Sequence, residues 1–278
     1  MKKIDKSISC NSKVIFLHIP KTAGTTLYDV IKQHYSHNSI FRIHGVIEDQ
    51  LEDLKKNYEP QKDKICLFKG HMTFGLHQFL DCPYTYITIL RNPVDRIISV
   101  YYYLLQSPNH PQHHLVKNKT LQDFVQSGTA HNNCQTRFIA GKPNSSSEEQ
   151  PYQLLQRAKK NIKEHFSVVG LTERFDETLI LLGIQLGWSG MPFYVAQNKS
   201  KRPLQKDILP ETLELIQEKN YLDVKLYRYA EEILDQQRVK QKSSFEDDLN
   251  FFMILNKTYQ PMGRIYSLMR SLTVKVMG

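Results

Sequence analysis

Hydrophobic positions along this chain follow two periods. Runs that are almost continuously apolar or β-branched occupy residues 14–18, 64–69, 84–90 and 167–170, and they read as strands buried on both faces. Elsewhere apolar residues recur at three- and four-residue spacing, over 25–35, 48–56, 93–105, 121–127, 152–165, 174–186, 211–219 and 223–237, which predicts amphipathic helices. Strands and helices alternate, so the expected fold is α/β, a parallel sheet flanked by helices. The stretch 141–151, Gly-Lys-Pro-Asn-Ser-Ser-Ser-Glu-Glu-Gln-Pro, is loop by composition. No internal repeat is visible.

Two helix starts are marked by capping chemistry. In Asn92-Pro93-Val94-Asp95, Asn92 suits the cap, Pro93 the first helical position and Asp95 the dipole; Asn220 is placed to cap the helix that follows it. Beyond Phe245 the pattern changes. Ile265, Leu268, Met269, Leu272 and Val276 form a stripe at helical spacing, flanked by Arg264, Arg270 and Lys275. That tail reads either as a terminal helix docked on the domain or as a helix lying on a membrane surface or a partner. The expected organisation is one domain over 1–240 and a helical C-terminal extension over 241–278.

Composition changes this picture only at the margins. The chain has 278 residues, 40% of them hydrophobic and 23% charged, which is ordinary for a globular protein. Its formal net charge of +9 favours polyanionic partners: nucleic acid, anionic polysaccharide, a nucleotide cofactor or an acidic membrane surface. Four cysteines (Cys10, Cys66, Cys82, Cys134) are scattered without metal-like spacing, which suggests unpaired thiols in a reducing compartment. The N-terminus lacks an apolar leader, and no segment approaches the roughly 18 apolar residues of a membrane span. The expected location is therefore cytoplasmic.

The candidate chemistry lies where strands give way to helices. In Phe16-Leu-His-Ile-Pro-Lys21-Thr-Ala-Gly24-Thr-Thr26-Leu, a strand ends in a short turn carrying a lysine and hydroxyls, and a helix begins. A helix N-terminus attracts anions through its dipole and its unpaired N–H groups, so the turn suits a phosphate or sulfate. An ATP-type P-loop needs G-x-x-x-x-G-K-[ST]; here Lys21 precedes Gly24, and the pattern fails. A second strand–turn–helix follows in Ile89-Leu90-Arg91-Asn-Pro-Val-Asp95-Arg96-Ile-Ile-Ser99, where an arginine fork and a hydroxyl offer donors to a phosphate dianion. Arg96 reads equally as a partner for a nearby acid.

Together these motifs resemble the nucleotide-binding signatures of sulfotransferases that use 3′-phosphoadenosine 5′-phosphosulfate (PAPS), in particular the carbohydrate branch with the heparan sulfate 2-O- and 6-O-sulfotransferases. The resemblance implies that Lys21, Thr22, Ala23, Gly24, Thr25 and Thr26 hold the 5′-phosphosulfate and that Arg91 and Ser99 hold the 3′-phosphate. It also implies a P-loop-like sulfotransferase fold. In Lys69-Gly70-His71, His71 occupies the place of that branch's catalytic base, while Lys69 replaces the first histidine of the 2-O enzymes' His-Gly-His. His18 and His77 read as structural. Asn133-Cys-Gln135-Thr-Arg137 resembles the family's N-x-Q-x-R segment, so Lys69, Gln135 and Arg137 are candidate acceptor contacts, although Gln135 and Arg137 equally suit helix packing. Gly170-Leu-Thr-Glu173 resembles a family strand-to-helix junction. Lys201 and Arg202 resemble a basic loop over the nucleotide, with a solvated turn as the other reading. The resemblance covers about residues 14–234.

What it implies is sulfuryl transfer from PAPS to a hydroxyl by in-line displacement, with His71 as general base, Lys21 neutralising the leaving oxygen, PAP as product and no metal. The partner implied is an anionic oligo- or polysaccharide rather than nucleic acid, with the basic tail offering peripheral contact to an inner membrane. The alternatives are a P-loop-like kinase and a non-catalytic binder of nucleotides or anionic glycans.

Overall fold

The computed structural model describes residues 10–45, 47–128, 132–142, 150–196, 202–241 and 244–276, without the side chains of Glu48, Ser244 and 263–276. Lys201, most of the 141–151 loop and the side chains of the 265–276 stripe lie outside these bounds. Five strands, β1 (Lys13–Leu17), β2 (Ile40–Arg42), β3 (Leu67–Gly70), β4 (Tyr84–Leu90) and β5 (Phe166–Leu171), form one sheet in the order β2-β3-β1-β4-β5. Every pairing is parallel. All five residues of β1 are buried, as expected for a central strand covered on both faces.

The helices that carry the argument are α1 (Gly24–His34), α2 (Pro93–Leu105), α3 (Leu121–Gln126), α4 (Cys134–Ala140), α5 (Pro151–His165), α6 (Phe175–Leu186), α7 (Pro210–Lys219), α8 (Tyr221–Lys240) and α9 (Ser244–Val276). The main core packs the sheet against α1, α5, α6 and α8. A second cluster joins α2, α3 and α7 through Val94, Ile98, Tyr101, Phe124 and Ile216. The chain runs outward from β1 to β2, returns through β3, and then crosses β1 to reach β4. The turns after β1 and β4 are therefore neighbours at the carboxyl edge of the sheet, the switch point where open α/β sheets bind ligands.

Several expectations need correction. The helix expected over 48–56 is a succession of short helical turns, including a π-helical stretch at Leu54–Tyr58. The strand expected from 64 begins at Leu67, and β2 and α4 were not anticipated. Beyond residue 241, Phe245, Leu249 and Phe252 of α9 are buried in the main cluster. The first turns of α9 are thus docked on the domain. No helix among the described residues is long and apolar enough to cross a membrane.

The cysteine expectation is also overturned. Cys10 and Cys66 are joined as a disulfide, leaving Cys82 and Cys134 as free thiols, so the cysteine pattern no longer argues for a reducing compartment. Beside this link the buried Lys13 donates from Nζ to the carbonyls of Cys10, Lys62 and Ile65 at 2.9, 2.7 and 2.6 Å. Three carbonyl partners make burial of an ammonium tolerable.

Asn220 does not cap its own helix. Its Oδ1 accepts from the N–H of Asn133 at 3.0 Å, while Asn133 Oδ1 accepts from the N–H groups of Leu222 and Asp223. The Asp223 carboxylate in turn accepts from the N–H groups of Gln135 and Thr136. Two helix starts distant in sequence cap each other, and this fixes α4 against α8 close to the switch point.

Candidate active site

The turn after β1 is tightly constrained. Lys21 and Ala23 adopt left-handed backbone, with φ of 69° and 62°. Such conformations cost non-glycine residues about 1–2 kcal/mol each, and they concentrate at functional sites. Between them Thr22 is buried and donates from Oγ1 to the carbonyl of Ile19 at 2.9 Å, closing the turn. Gly24 has no room for a side chain, since a Cβ there would lie 2.0 Å from the His18 ring. α1 then starts without a side-chain cap and without an acidic residue in its first turn. Its positive end is not neutralised by any side chain of its own first turn.

The turn after β4 meets this one directly. Arg91 Nη1 donates to the Lys21 carbonyl at 3.1 Å, and the wholly buried Arg96 donates from Nε to the carbonyl of Pro20 at 3.3 Å. Arg91 Nε is buried with no hydrogen-bond partner. Ser99 is buried on the same face of α2, one turn beyond Arg96. Arg202 reaches the same place and is held by Asp95, with Nη1 3.0 Å from its carbonyl oxygen and 3.2 Å from Oδ1.

Lys21, Arg91 and Arg202 therefore sit together as a cluster of positive charge. Burial first, then the repulsion of Arg91 and Arg202, pulls the Lys21 ammonium from its ordinary range down to about 8. Burial and the charge of Arg202 pull Arg91 down as well. The Lys21 ammonium rests 4.0 Å from the centre of the Tyr103 ring, a cation–π contact that no motif marks.

His71 stands one residue past β3, on the far side of β1. Its Nδ1 lies 2.8 Å from the carbonyl oxygen of His18. A carbonyl only accepts, so Nδ1 carries the proton and Nε2 keeps the lone pair of the neutral ring. Burial lowers the His71 pKa, as do the positive charge on Lys69 and the neighbouring His44, while the bond to His18 opposes them. The ring is thus held neutral at physiological pH. His18 packs at 4.2 Å between ring centres, and burial drives its own pKa down to about 2, so it is a permanently neutral wall. Gly70 matters here too: a Cβ would strike the carbonyl of Ile43, so only glycine lets β3 approach the 43–45 segment beside His71. His77 lies elsewhere, packed among Phe74, Tyr84, Tyr86 and His165.

Gln135 has a different job from the acceptor contact expected. It is fully buried, and its amide spans the Arg91 backbone, accepting from N–H and donating to C=O, both at 2.9 Å. It sets the position of the arginine and leaves no exposed group for a substrate. Arg137 donates from Nε to the carbonyl of Asn132 at 3.3 Å. Glu173 completes the second turn, accepting from the Asn92 N–H at 3.0 Å and from the Tyr227 hydroxyl at 2.9 Å. No group of three or more histidine, cysteine or carboxylate side chains among the described residues is arranged to hold a metal ion.

Fold and site define an α/β protein with a cluster of cations at the uncapped start of α1 and a neutral imidazole beside it. The family model described as galactose-3-O-sulfotransferase matches residues 5–241, and the chain belongs to that family. Among curated relatives it is 28% identical to heparan-sulfate 6-O-sulfotransferase 1-B of Danio rerio, over 84% of this chain and 69% of that protein. It is also 28% identical to the heparin sulfate O-sulfotransferase of Drosophila melanogaster and 25% identical to heparan sulfate 2-O-sulfotransferase 1 of Xenopus laevis, each over 61% of this chain. The chain spans about half the length of these last two, 54% and 53%. A crystal structure of mouse sulfotransferase SULT7A1 complexed with PAP overlaps 65% of this chain and 60% of its own, with a TM-score of 0.41 and 17% identity.

Proposed function

We propose that this protein transfers a sulfuryl group from PAPS to a hydroxyl of a carbohydrate acceptor. The observation that carries the reading is the meeting of Lys21, Arg91 and Arg202 at the uncapped start of α1. Three cations and a helix N-terminus that repel one another at rest become favourable once two anionic groups lie among them. The buried, unpartnered Nε of Arg91 is a donor awaiting such a group. PAPS supplies both anions, a phosphosulfate for the α1 turn and a 3′-phosphate for Arg91 and Ser99, and with them the electrophilic sulfur and its leaving phosphate.

The residues of the chain then divide the work. Lys21 places positive charge where the leaving oxygen gains negative charge, and the N–H groups from Ala23 to Thr26 add fixed dipoles that need no reorganisation. Thr22 holds the turn in shape, and Gly24 leaves space for the His18 ring that backs His71. His71 Nε2 takes the proton from the attacking hydroxyl, with its ring oriented by the His18 carbonyl. Arg202, and Lys201 beside it in sequence, bring further charge over the nucleotide. Lys69 faces the acceptor, and Gln135 acts through Arg91 as a positioning residue.

Thermal melting with PAP, ADP and Mg-ATP tests the donor assignment. Stabilisation by PAP without metal is expected; preference for Mg-ATP would favour a kinase. With radiolabelled PAPS, His71→Ala should retain PAP binding while losing about 10²–10⁴-fold in turnover. Because the His71 pKa is lowered, the wild-type acid limb should fall below pH 6.5, the ordinary imidazole value. A limb at or above that value, or an active His71→Ala protein, would remove the base from its role.

A further inference from the structure

A second cluster of positive charge lies on the other side of His71; it joins Lys69 to Arg42, a residue that neither the donor nor the chemistry above uses. In the parallel pairing of β2 with β3, Arg42 stands opposite Lys69, two residues before the base. Like charges placed directly across a strand pair destabilise a sheet. Both side chains converge on Tyr28 of α1: the Lys69 ammonium lies 4.3 Å and the Arg42 guanidinium 5.7 Å from its ring centre, and Arg42 Nη2 donates to its hydroxyl at 3.2 Å. Lys32 adds a third cation at 5.1 Å. The phenol beneath is buried at the edge of the main core.

The acid that faces the group, Asp29, is already engaged by Lys32 at 2.5 Å. Burial first, then the charge of Arg42, lowers the pKa of Lys69; burial first, then the charges of Lys69 and Arg42, lowers that of His44, whose ring lies 6.0 Å from that of His71. A pair of guanidinium and ammonium held side by side at a sheet edge matches a carboxylate or sulfate approaching from solvent.

From this arrangement we infer that Arg42 and Lys69, seated on Tyr28, form an anion subsite for the acceptor, which binds a carboxylate or sulfate carried near the hydroxyl that His71 deprotonates. This rests on the reading of His71 as the base facing an acceptor. It deepens that reading by choosing among acceptors: a charged saccharide is selected over a neutral one because an unfilled subsite leaves the two cations in mutual repulsion.

The test separates the subsite from the sulfotransferase assignment. Calorimetry measures binding of a heparin hexasaccharide, and of the same oligosaccharide after desulfation and carboxyl reduction, to wild type, Arg42→Gln and Lys69→Gln. The charged probe should bind wild type at least about 10-fold more tightly than the neutral one, since a hydrogen bond to a charged group contributes roughly 1.5–3 kcal/mol. Each substitution should weaken the charged probe by a similar factor, leave the neutral probe unchanged, and flatten the dependence of binding on salt. PAP affinity should stay at the wild-type value in both variants, and the melting temperature should not fall, because each substitution relieves the repulsion of the pair at a position that is exposed (Arg42) or half-buried (Lys69). Equal binding of the two probes by wild type, or unchanged binding of the charged probe by Arg42→Gln, overturns the subsite. Failure of wild type to bind PAP would instead count against the donor reading and leave the oligosaccharide comparison intact.

Discussion

At the β4–α2 junction the protein supplies its own counterions. Asn92 Oδ1 accepts from the N–H groups of Val94 and Asp95, at 3.0 and 3.3 Å, and Asp95 places a carboxylate in the first turn. At the β1–α1 junction, equivalent in position, the helix has no side-chain cap and no acid in its first turn, and the turn before it holds two residues in left-handed backbone. The first junction is built for stability. The second retains strain and unneutralised positive charge, both of which an anion would relieve. The two also differ in their support: Gln135 and Glu173 grip the backbone of Arg91 and Asn92, so the stable junction serves as a rigid arm holding Arg91 against the strained one.

That contrast can be broken from either side. The largest effect is expected at Lys21: replacement by alanine should lower kcat by about 10²–10³-fold, the usual loss when one transition-state donor is removed, and change PAP affinity far less. An equal loss in both, read from single-turnover rates and calorimetry, would make Lys21 a binding residue only. Next comes Arg91→Ala, which should weaken PAP by about 10–100-fold, the equivalent of roughly 1.5–3 kcal/mol for contacts to a charged group. Unchanged affinity would separate the first junction from the nucleotide.

Making the second junction resemble the first is a sharper trial. Thr25→Asp puts a carboxylate into the first turn of α1 and should stabilise the ligand-free protein by about 0.3–1 kcal/mol through the dipole. The same change should abolish the rise in melting temperature caused by PAP. A variant that still responds to PAP would show that the helix start is not the anion cradle. The smallest effect is expected at Asn92→Ala, which removes the one side-chain cap of the pair at a cost of about 1 kcal/mol. Melting should fall by about 2–4 °C, and kcat should change little.

The legibility of these regions in the sequence differed for physical reasons. β1, β4 and α2 carry dense local signals, continuous apolar runs and an Asn-Pro start, and α2 was placed at its observed limits. β2 is three residues long and gains its structure from β3 alone, through the pairing of Ile40 with Leu67 and Phe41 with Phe68. Nothing local marks so short an edge strand, and with it Arg42 was missed. Gln135 was found by resemblance and left between an acceptor contact and helix packing, because an amide that clasps a backbone 44 residues away looks the same in sequence as one that meets a ligand. The pairing of Cys10 with Cys66 was missed for the same reason: it depends on β1 lying beside β3.

From sequence alone came the α/β order, the two strand–turn–helix motifs, the histidine at the strand end and the family they resemble. These are local matters of period, turn chemistry and motif, readable without neighbours. Tertiary structure alone decided which turns meet, which cations lie close enough to repel, which histidine is kept neutral and by what, and which polar groups are consumed in holding others. Those outcomes follow from strand order and burial, which bring residues tens of positions apart into contact, and no short window of the chain contains them.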